Sequence, residues 1–128
     1  MTGTARCSTP RPPWRTVALI EHRHVNKQSP NDPDTEDGTK GGNPTSYEAV
    51  RISAPRLSGF KGPVEAVYVQ YQDSQHEIEY YDIARDPFER DNIAASLTSA
   101  QKSELRKILA GLASCHGFSA CWRAGLPR

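Results

Sequence analysis

The chain has 128 residues, a length that suits one modest domain and leaves too little for a catalytic domain plus a second module. Its formal net charge is +1 and 24% of its residues are charged, so the composition indicates neither a nucleic-acid-binding surface nor an acidic tail. This charge pattern predicts no nucleic-acid partner. No window approaches the roughly 18 apolar residues that span a bilayer, so we expect no membrane partner. No apolar export signal precedes the first charge, so we expect a cytoplasmic location if the chain is expressed without one.

The first part of the chain alternates short strand-like runs with polar connections. Residues 1–13 are rich in proline and arginine and show no periodicity, which is typical of a linker or a disordered end. Residues 14–22 form a short apolar run with several β-branched side chains and predict a first strand. Residues 25–46 are dense in Asp, Asn, Pro and Gly, so they predict a long polar loop.

Three further strands are predicted in the middle of the chain. Residues 47–53 alternate apolar and polar side chains, and the Pro- and Gly-rich residues 54–63 predict a loop. The runs 64–72 and 76–83 each alternate with a period of two around a polar turn, so they predict a β-hairpin. In the first run one face carries Val67, Val69 and Tyr71 and the other Ala66, Tyr68 and Gln70; in the second, Ile78 and Tyr80 lie opposite Tyr81 and Ile83.

Helix-start chemistry follows the hairpin directly, in the segment DPFERDN. Asp86 can cap the amides after it, Pro87 suits the first helical position, and Glu89 can reach back to the cap. Asn92 tolerates the left-handed conformation that ends such a turn. We therefore expect a single, firmly fixed helical turn that redirects the chain away from the sheet.

One amphipathic helix is predicted over residues 98–114. Thr98 and Gln101 have the spacing of a capping box, and Gly117 offers a stop. The apolar residues that recur at helical spacing are Leu105, Ile108, Leu109 and Leu112. Together the elements predict an α+β fold, in which a mainly antiparallel sheet of about four strands carries one C-terminal amphipathic helix on a face.

Cys115 and Cys121 are separated by a spacing that a tight loop can close as a disulfide. We expect a disulfide-closed loop over 115–121, and such a bridge implies an oxidising compartment. Metal ligation with His116 is the alternative, but a structural zinc site takes four ligands and the chain has no second pair. A disulfide without an export signal suggests that sequence upstream has been lost.

Six segments carry a family resemblance that covers most of residues 14–125. They are WRTVALIEH, PTSYEAVR, VYVQY, EYYDIARDPFERDNIA, LTSAQKSELRKILAGLASC and CHGFSACWRAG. In this order they resemble the C-terminal subdomain of the sulfatase family, especially bacterial arylsulfatases similar to N-acetylglucosamine-6-sulfatase. The family pattern E-x-Y-D-L then x-x-D-P-x-E-x-x-N-L appears here as Glu79 to Ile83 and Asp86 to Ile93, and residues 54–63 look like an insertion into it.

The resemblance implies a small domain that covers a large catalytic domain and borders its sulfate-ester pocket. Relatives of this kind are exported, periplasmic or lysosomal, and they hydrolyse sulfate esters with a divalent cation (calcium) and a formylglycine residue. Those groups belong to the N-terminal domain, so the resemblance implies no cofactor, no metal and no catalytic residue in this chain. The partner would be a sulfatase catalytic domain, in cis in relatives or in trans here. A stand-alone protein- or glycan-binding module is the alternative.

Two segments of the N-terminal half invite a catalytic or metal-binding interpretation. CSTPR at residues 7–11 has the cysteine-to-arginine separation of a formylglycine motif, but Thr9 stands where that motif has Pro or Ala. The acidic residues before Gly38 suggest a calcium loop, but Pro33 and Thr35 occupy positions where ligating carboxylates belong. A linker cysteine and a solvated loop are the simpler interpretations.

Titratable groups are concentrated at the end of the first predicted strand, at Glu21, His22 and His24. In a complete sulfatase they suit an auxiliary, substrate-proximal role, whereas an exposed strand end is the simpler interpretation. The tyrosines of the hairpin also allow two interpretations, a stacking platform for sugars or bases and half-buried packing, of which strand spacing favours the second. These tyrosines are Tyr68, Tyr71, Tyr80 and Tyr81.

Overall fold

The computed structural model describes residues 14–23 and 45–127. They form strands β1 (Val17–His22), β2 (Tyr47–Ala54), β3 (Val64–Tyr71) and β4 (Ile78–Asp82), a short 3-10 helix (Ala94–Ser96), and helices α1 (Ser99–Ser114) and α2 (Phe118–Ala124). The strands make one antiparallel sheet in the order β1-β2-β3-β4. The predicted α+β class is confirmed. Residues 1–13, Cys7 among them, and 24–44, including His24 and the acidic loop before Gly38, lie outside the described residues.

The alternation of β3 divides its side chains between the two faces of the sheet, as predicted. Ala66 and Tyr68 belong to the core beneath α1, whereas Val67 and Val69 belong to a smaller cluster on the opposite face. The predicted hairpin is present, with Tyr68 of β3 opposite Tyr80 of β4. Because successive side chains of a strand point to opposite faces, this register places paired residues of neighbouring strands on the same face throughout the sheet.

The main core lies between the sheet and α1. Thr98 caps this helix, since its side chain accepts from the Gln101 amide at 3.2 Å while the Gln101 side chain accepts from the Thr98 amide at 2.9 Å. The helix buries Leu105, Ile108, Leu109 and Leu112. Burial of such side chains contributes roughly 1.5–3 kcal/mol each, so this stripe holds the helix to the sheet. The predicted apolar face of the helix is therefore the face that packs.

The loop between β2 and β3 completes one end of this core. Leu57 is buried, and the ring of Phe60 stacks on that of Tyr80 with centroids 6.2 Å apart. Gly59 has a φ of +82° and lies against the backbone of α1 near Gln101, a conformation and an approach that suit glycine. The predicted loop thus joins the antiparallel strands β2 and β3 and also packs on α1.

The C-terminal end differs from the sequence prediction, which expected one helix and a loop over 115–121. Cys115 and Cys121 do form the predicted disulfide. However, helix α2 begins at Phe118, inside the bridged segment, and Gly117 precedes it as N-cap with a φ of +78°. Seven residues are too few to show a helical period in the sequence, which is why the second helix was missed.

The segment after β4 is a turn and not the expected helical turn. Asp86 does cap it, because its Oδ2 accepts from the Arg90 and Asp91 amides at 2.6 and 2.8 Å. Glu89 takes a left-handed conformation, with a φ of +52°, so it is not the third residue of a helix. The left-handed position was expected at Asn92, three residues later.

Asn92 instead ties the returning chain to the outer edge of β4. Its Oδ1 accepts from the amides of Tyr80 and Ala94 at 3.1 and 3.0 Å, and its Nδ2 donates to the carbonyl of Ile78 at 3.4 Å. The amide of the next residue, Ile93, donates to the Tyr80 carbonyl at 2.9 Å. The capped turn therefore brings the chain back to cover the edge of the sheet.

Candidate interaction face

The sheet face opposite α1, here called the second face, has an apolar centre. Ala49, Val67 and Val69 are buried there, between 2 and 8% exposed. The residues that pack against them come from β2, β3 and β4 and from the position just after β4: Tyr47, Tyr71, Tyr81 and Ile83. No described helix contributes a side chain to this cluster, whereas both faces of a sheet with apolar side chains tend to be covered. Ile20, opposite Ala49 on β1, is 43% exposed.

A row of rings crosses one end of the second face. The register sets His22 opposite Tyr47, and Tyr47 opposite Tyr71. The His22 and Tyr47 rings stack with centroids 5.3 Å apart, and the Tyr47 and Tyr71 rings meet edge to face at 5.8 Å. Cross-strand aromatic pairs of this kind stabilise a sheet and leave flat apolar surface at its edge.

Glu79 lies between two tyrosines of the second face. Its carboxylate accepts from the Tyr71 hydroxyl at 3.3 Å and from the Tyr81 hydroxyl at 3.0 Å. Partial burial and the neighbouring Glu79 carboxylate raise the pKa of Tyr81 to about 12, and the same two causes raise the pKa of Tyr71. Both hydroxyls therefore remain protonated donors throughout the physiological range, and they hold the carboxylate in one position.

An ion pair occupies the opposite end of the second face. Arg51 Nη2 lies 3.0 Å from Glu65 Oε2, and the Ser53 hydroxyl donates to the other carboxylate oxygen. The pKa of Glu65 is lowered, chiefly by the Ser53 hydrogen bond; burial opposes this shift, and the hydrogen bond and charge of Arg51 add to it. The face thus runs from an aromatic end, through an apolar centre, to a charged end.

The structure separates the titratable residues that the sequence placed together at the end of β1. His22 lies on the second face in the row of rings. Glu21 is one residue away on the strand and therefore on the other face, where it is 3.6 Å from Arg23. Their substrate-proximal role stays a prediction. Glu79, which the sequence reasoning did not single out, is the carboxylate that the fold brings among aromatic rings.

Within residues 14–23 and 45–127, no group of three or more His, Cys, Asp or Glu is placed to hold a metal ion. In the same part of the chain, no helix is long and apolar enough to cross a membrane. The second face is suited to contact with another surface, since it combines flat rings, aliphatic side chains and one anchored carboxylate.

Comparisons with models of protein families, with curated proteins and with solved structures found no match to this chain.

Proposed function

We propose that the chain is the C-terminal subdomain of a sulfatase and that its role is to pack by the second face against a large catalytic domain. The resemblance of the six sequence segments supports the family, and the second face supports the mode of packing. The observation that carries the proposal is a sheet with apolar clusters on both faces, of which the described helices cover one.

The chain alone is catalytically inactive under this proposal. Hydrolysis of a sulfate ester requires a group that attacks sulfur and a positive charge that stabilises the departing oxygen. In the family these tasks fall to formylglycine and a divalent cation, both held by the catalytic domain. The described residues bring together an anchored carboxylate and aromatic rings, an arrangement suited to contact with another surface.

The first test measures hydrolysis of a chromogenic aryl sulfate by the purified full chain, with and without calcium. We expect no turnover above the blank. Metal-dependent turnover that survives repeated purification would refute the proposal, because the chain would then contain its own catalytic groups. Heat-denatured protein at the same concentration controls for contaminating activity and for release of colour by the buffer.

The second test concerns the second face itself. Val69→Lys places a charge at the apolar centre, at a site 8% exposed, and Ser58→Lys introduces the same charge at an exposed loop position. Co-expression with a separately encoded sulfatase N-terminal half measures binding by co-purification. We expect Val69→Lys to abolish co-purification while Ser58→Lys preserves it, after circular dichroism has shown that both variants fold. Equal recovery of both variants would remove the second face from the proposal.

A stand-alone interaction module is the second candidate, and one observation favours it. The core beneath α1 is complete on its own, since it joins strand, loop and helix residues into one buried cluster. An independent module should stay monomeric at high concentration and unfold in one cooperative step. A subdomain that has lost its partner should instead bind a hydrophobic dye and self-associate through the second face.

A further inference from the structure

The acidic residues of the chain are confined to its middle. All 15 lie between Glu21 and Glu104, so residues 1–20 and 105–128 contain none. Seven of the 16 basic residues lie in those two end segments: Arg6, Arg11, Arg15, Arg106, Lys107, Arg123 and Arg128. The ends therefore carry +7, while the nine basic and 15 acidic residues between them carry −6. The overall net charge of +1 conceals this separation.

The fold brings parts of the two end segments together. The Gly125 carbonyl accepts from the Thr16 and Val17 amides at 2.8 and 3.2 Å, so the start of β1 lies beside the end of α2. The guanidinium carbon of Arg15 lies 5.7 Å from the centre of the Trp122 ring. At this distance the cation is attracted to the face of the ring. Positive charge and aromatic surface are thus held at one place.

Two of the aromatic side chains at this place project into solvent. Trp14, which precedes Arg15, is 86% exposed, and Phe118 is 77% exposed. Phe118 and Trp122 are four residues apart on α2 and stack with ring centroids 5.5 Å apart, so they share one side of the helix. We call Trp14, Arg15, Phe118, Trp122 and Arg123 the basic-aromatic pole. The Cys115–Cys121 bridge fixes α2 to the end of α1, so the pole is part of a folded surface.

We propose that the basic-aromatic pole binds the surface of an anionic phospholipid membrane. Tryptophan and phenylalanine rings settle at the boundary between headgroups and acyl chains, and nearby arginines are attracted by the negative charge of acidic lipids. No Asp or Glu occurs in the described segments 14–20 and 105–127, so these segments add no carboxylate to the pole that would repel such a surface. Both halves of the chemistry are therefore present in one patch.

The size of the pole favours a lipid surface over a folded protein partner. Its three rings can bury at most about 450–750 Å². One partner of a stable protein interface contributes roughly 800 Å². Projecting rings can also insert into the fluid boundary between headgroups and acyl chains without a pre-formed site, whereas a protein partner would need a matching pocket for each ring.

The expectation of no membrane partner was drawn from the absence of an apolar window long enough to span a bilayer. That criterion does not register where along the chain the charges lie. The proposal uses neither the second face nor the resemblance to sulfatases, so it stands or falls separately from the proposed function.

The two tryptophans of the chain, Trp14 and Trp122, both belong to the pole, so intrinsic fluorescence reports on it directly. The experiment titrates the full chain with vesicles of phosphatidylcholine alone or of phosphatidylcholine with phosphatidylglycerol, and it also measures binding by sedimentation. We expect a blue shift of the tryptophan emission and co-sedimentation with the anionic vesicles only. Raising the salt concentration should weaken the binding, because the charges at the surface are screened.

Two pairs of variants separate the pole from the rest of the surface. Phe118→Ala should lower the partition coefficient about tenfold. Phe88→Ala, which removes a similarly exposed ring (82% against 77%) beside the acidic turn, should leave it unchanged. Arg123→Gln should lower it about fivefold. Arg85→Gln, with a side chain 89% exposed and 3.7 Å from Asp82, is the matched control.

Three outcomes would overturn the proposal. One is the absence of a blue shift with anionic vesicles, and another is equal binding to neutral vesicles. The third is a blue shift of equal size with polyglutamate, together with competition between polyglutamate and the anionic vesicles at the same concentration of charge. That result would identify an acidic polypeptide as the partner. Circular dichroism of each variant shows that a lost signal does not come from a lost fold.

Discussion

Asn92→Ala is expected to destabilise the fold more than its position on the surface suggests. The Asn92 side chain is the acceptor for two backbone amides, those of Tyr80 and Ala94, at 3.1 and 3.0 Å. Tyr80 and Ala94 are each 6% exposed, so their amides are largely, though not fully, shielded from bulk water. The substitution removes both bonds at once and releases the returning chain from β4.

The size of the effect follows from the two amides. A hydrogen bond contributes about 0.5–1.5 kcal/mol net, and a buried donor left without an acceptor costs about 1–3 kcal/mol. Because water can partly reach the edge strand, we expect a loss of about 2 kcal/mol in the free energy of unfolding. For a domain of this size such a loss lowers the Tm by about 10 °C. The 3.4 Å bond from Nδ2 to the Ile78 carbonyl is long and contributes less.

Urea unfolding followed by far-ultraviolet circular dichroism measures the change, and the slope with urea should stay constant. Asn92→Asp keeps the acceptor oxygens and should lose less than half as much, whereas Asp91→Ala, which keeps the backbone amide bonded to Asp86, should stay within about 0.5 kcal/mol. Hydrogen exchange should accelerate first at the Tyr80 and Ala94 amides. Equal losses of stability for Asn92→Ala and Asp91→Ala, or for Asn92→Asp and Asn92→Ala, would contradict the role assigned to the Asn92 acceptor.

Three more predictions concern helix glycine, the disulfide and alkaline stability. Gly111→Ala should stabilise the protein by about 1 kcal/mol in urea unfolding, because the new methyl group meets nothing within 4 Å. Gly125→Ala should destabilise it, because its methyl group would lie 2.8 Å from Cδ of Arg15 and 3.2 Å from the Val17 carbonyl oxygen. Reduction of the Cys115–Cys121 bridge should lower the free energy of unfolding by about 2 kcal/mol, as expected for so short a loop, with thiol quantitation as the check. The pKa of Tyr81 is about 12 in the folded state and 10.0 in the unfolded state. The contribution of its protonated hydroxyl to the free energy of unfolding is therefore complete below pH 10 and is lost as the pH rises towards 12. Titration by ultraviolet absorbance should show that Tyr81→Phe removes one late-titrating tyrosine.

The sheet and α1 were predictable because their signals are local and periodic. The alternation in residues 64–72 fixes which side chains face α1, and the Thr98 and Gln101 pair marks the first turn of the helix. Such patterns depend only on neighbours two to four positions apart. They predict the face on which a residue lies, which is why the hairpin was correct in detail.

The contacts of Asn92 and Glu79 were not predicted, because their partners depend on the register of the sheet. Asn92 bonds an amide 12 residues earlier, and the turn chemistry around it suggested a more local role. Glu79 does share a face with Tyr81 by strand spacing, a signal that was present in the sequence. Its contact with Tyr71 follows only once Val69 is known to lie opposite Glu79.

The way the sheet ends on its two sides limits how molecules of this protein can join by adding strands. At the β4 side, both the amide and the carbonyl of Tyr80 are already bonded to the chain's own residues 92 and 93. Among the described strands, β1 forms the other margin. Two copies that paired through β1 would therefore present their β4 sides outward, where the bonded backbone of Tyr80 opposes the addition of a further strand.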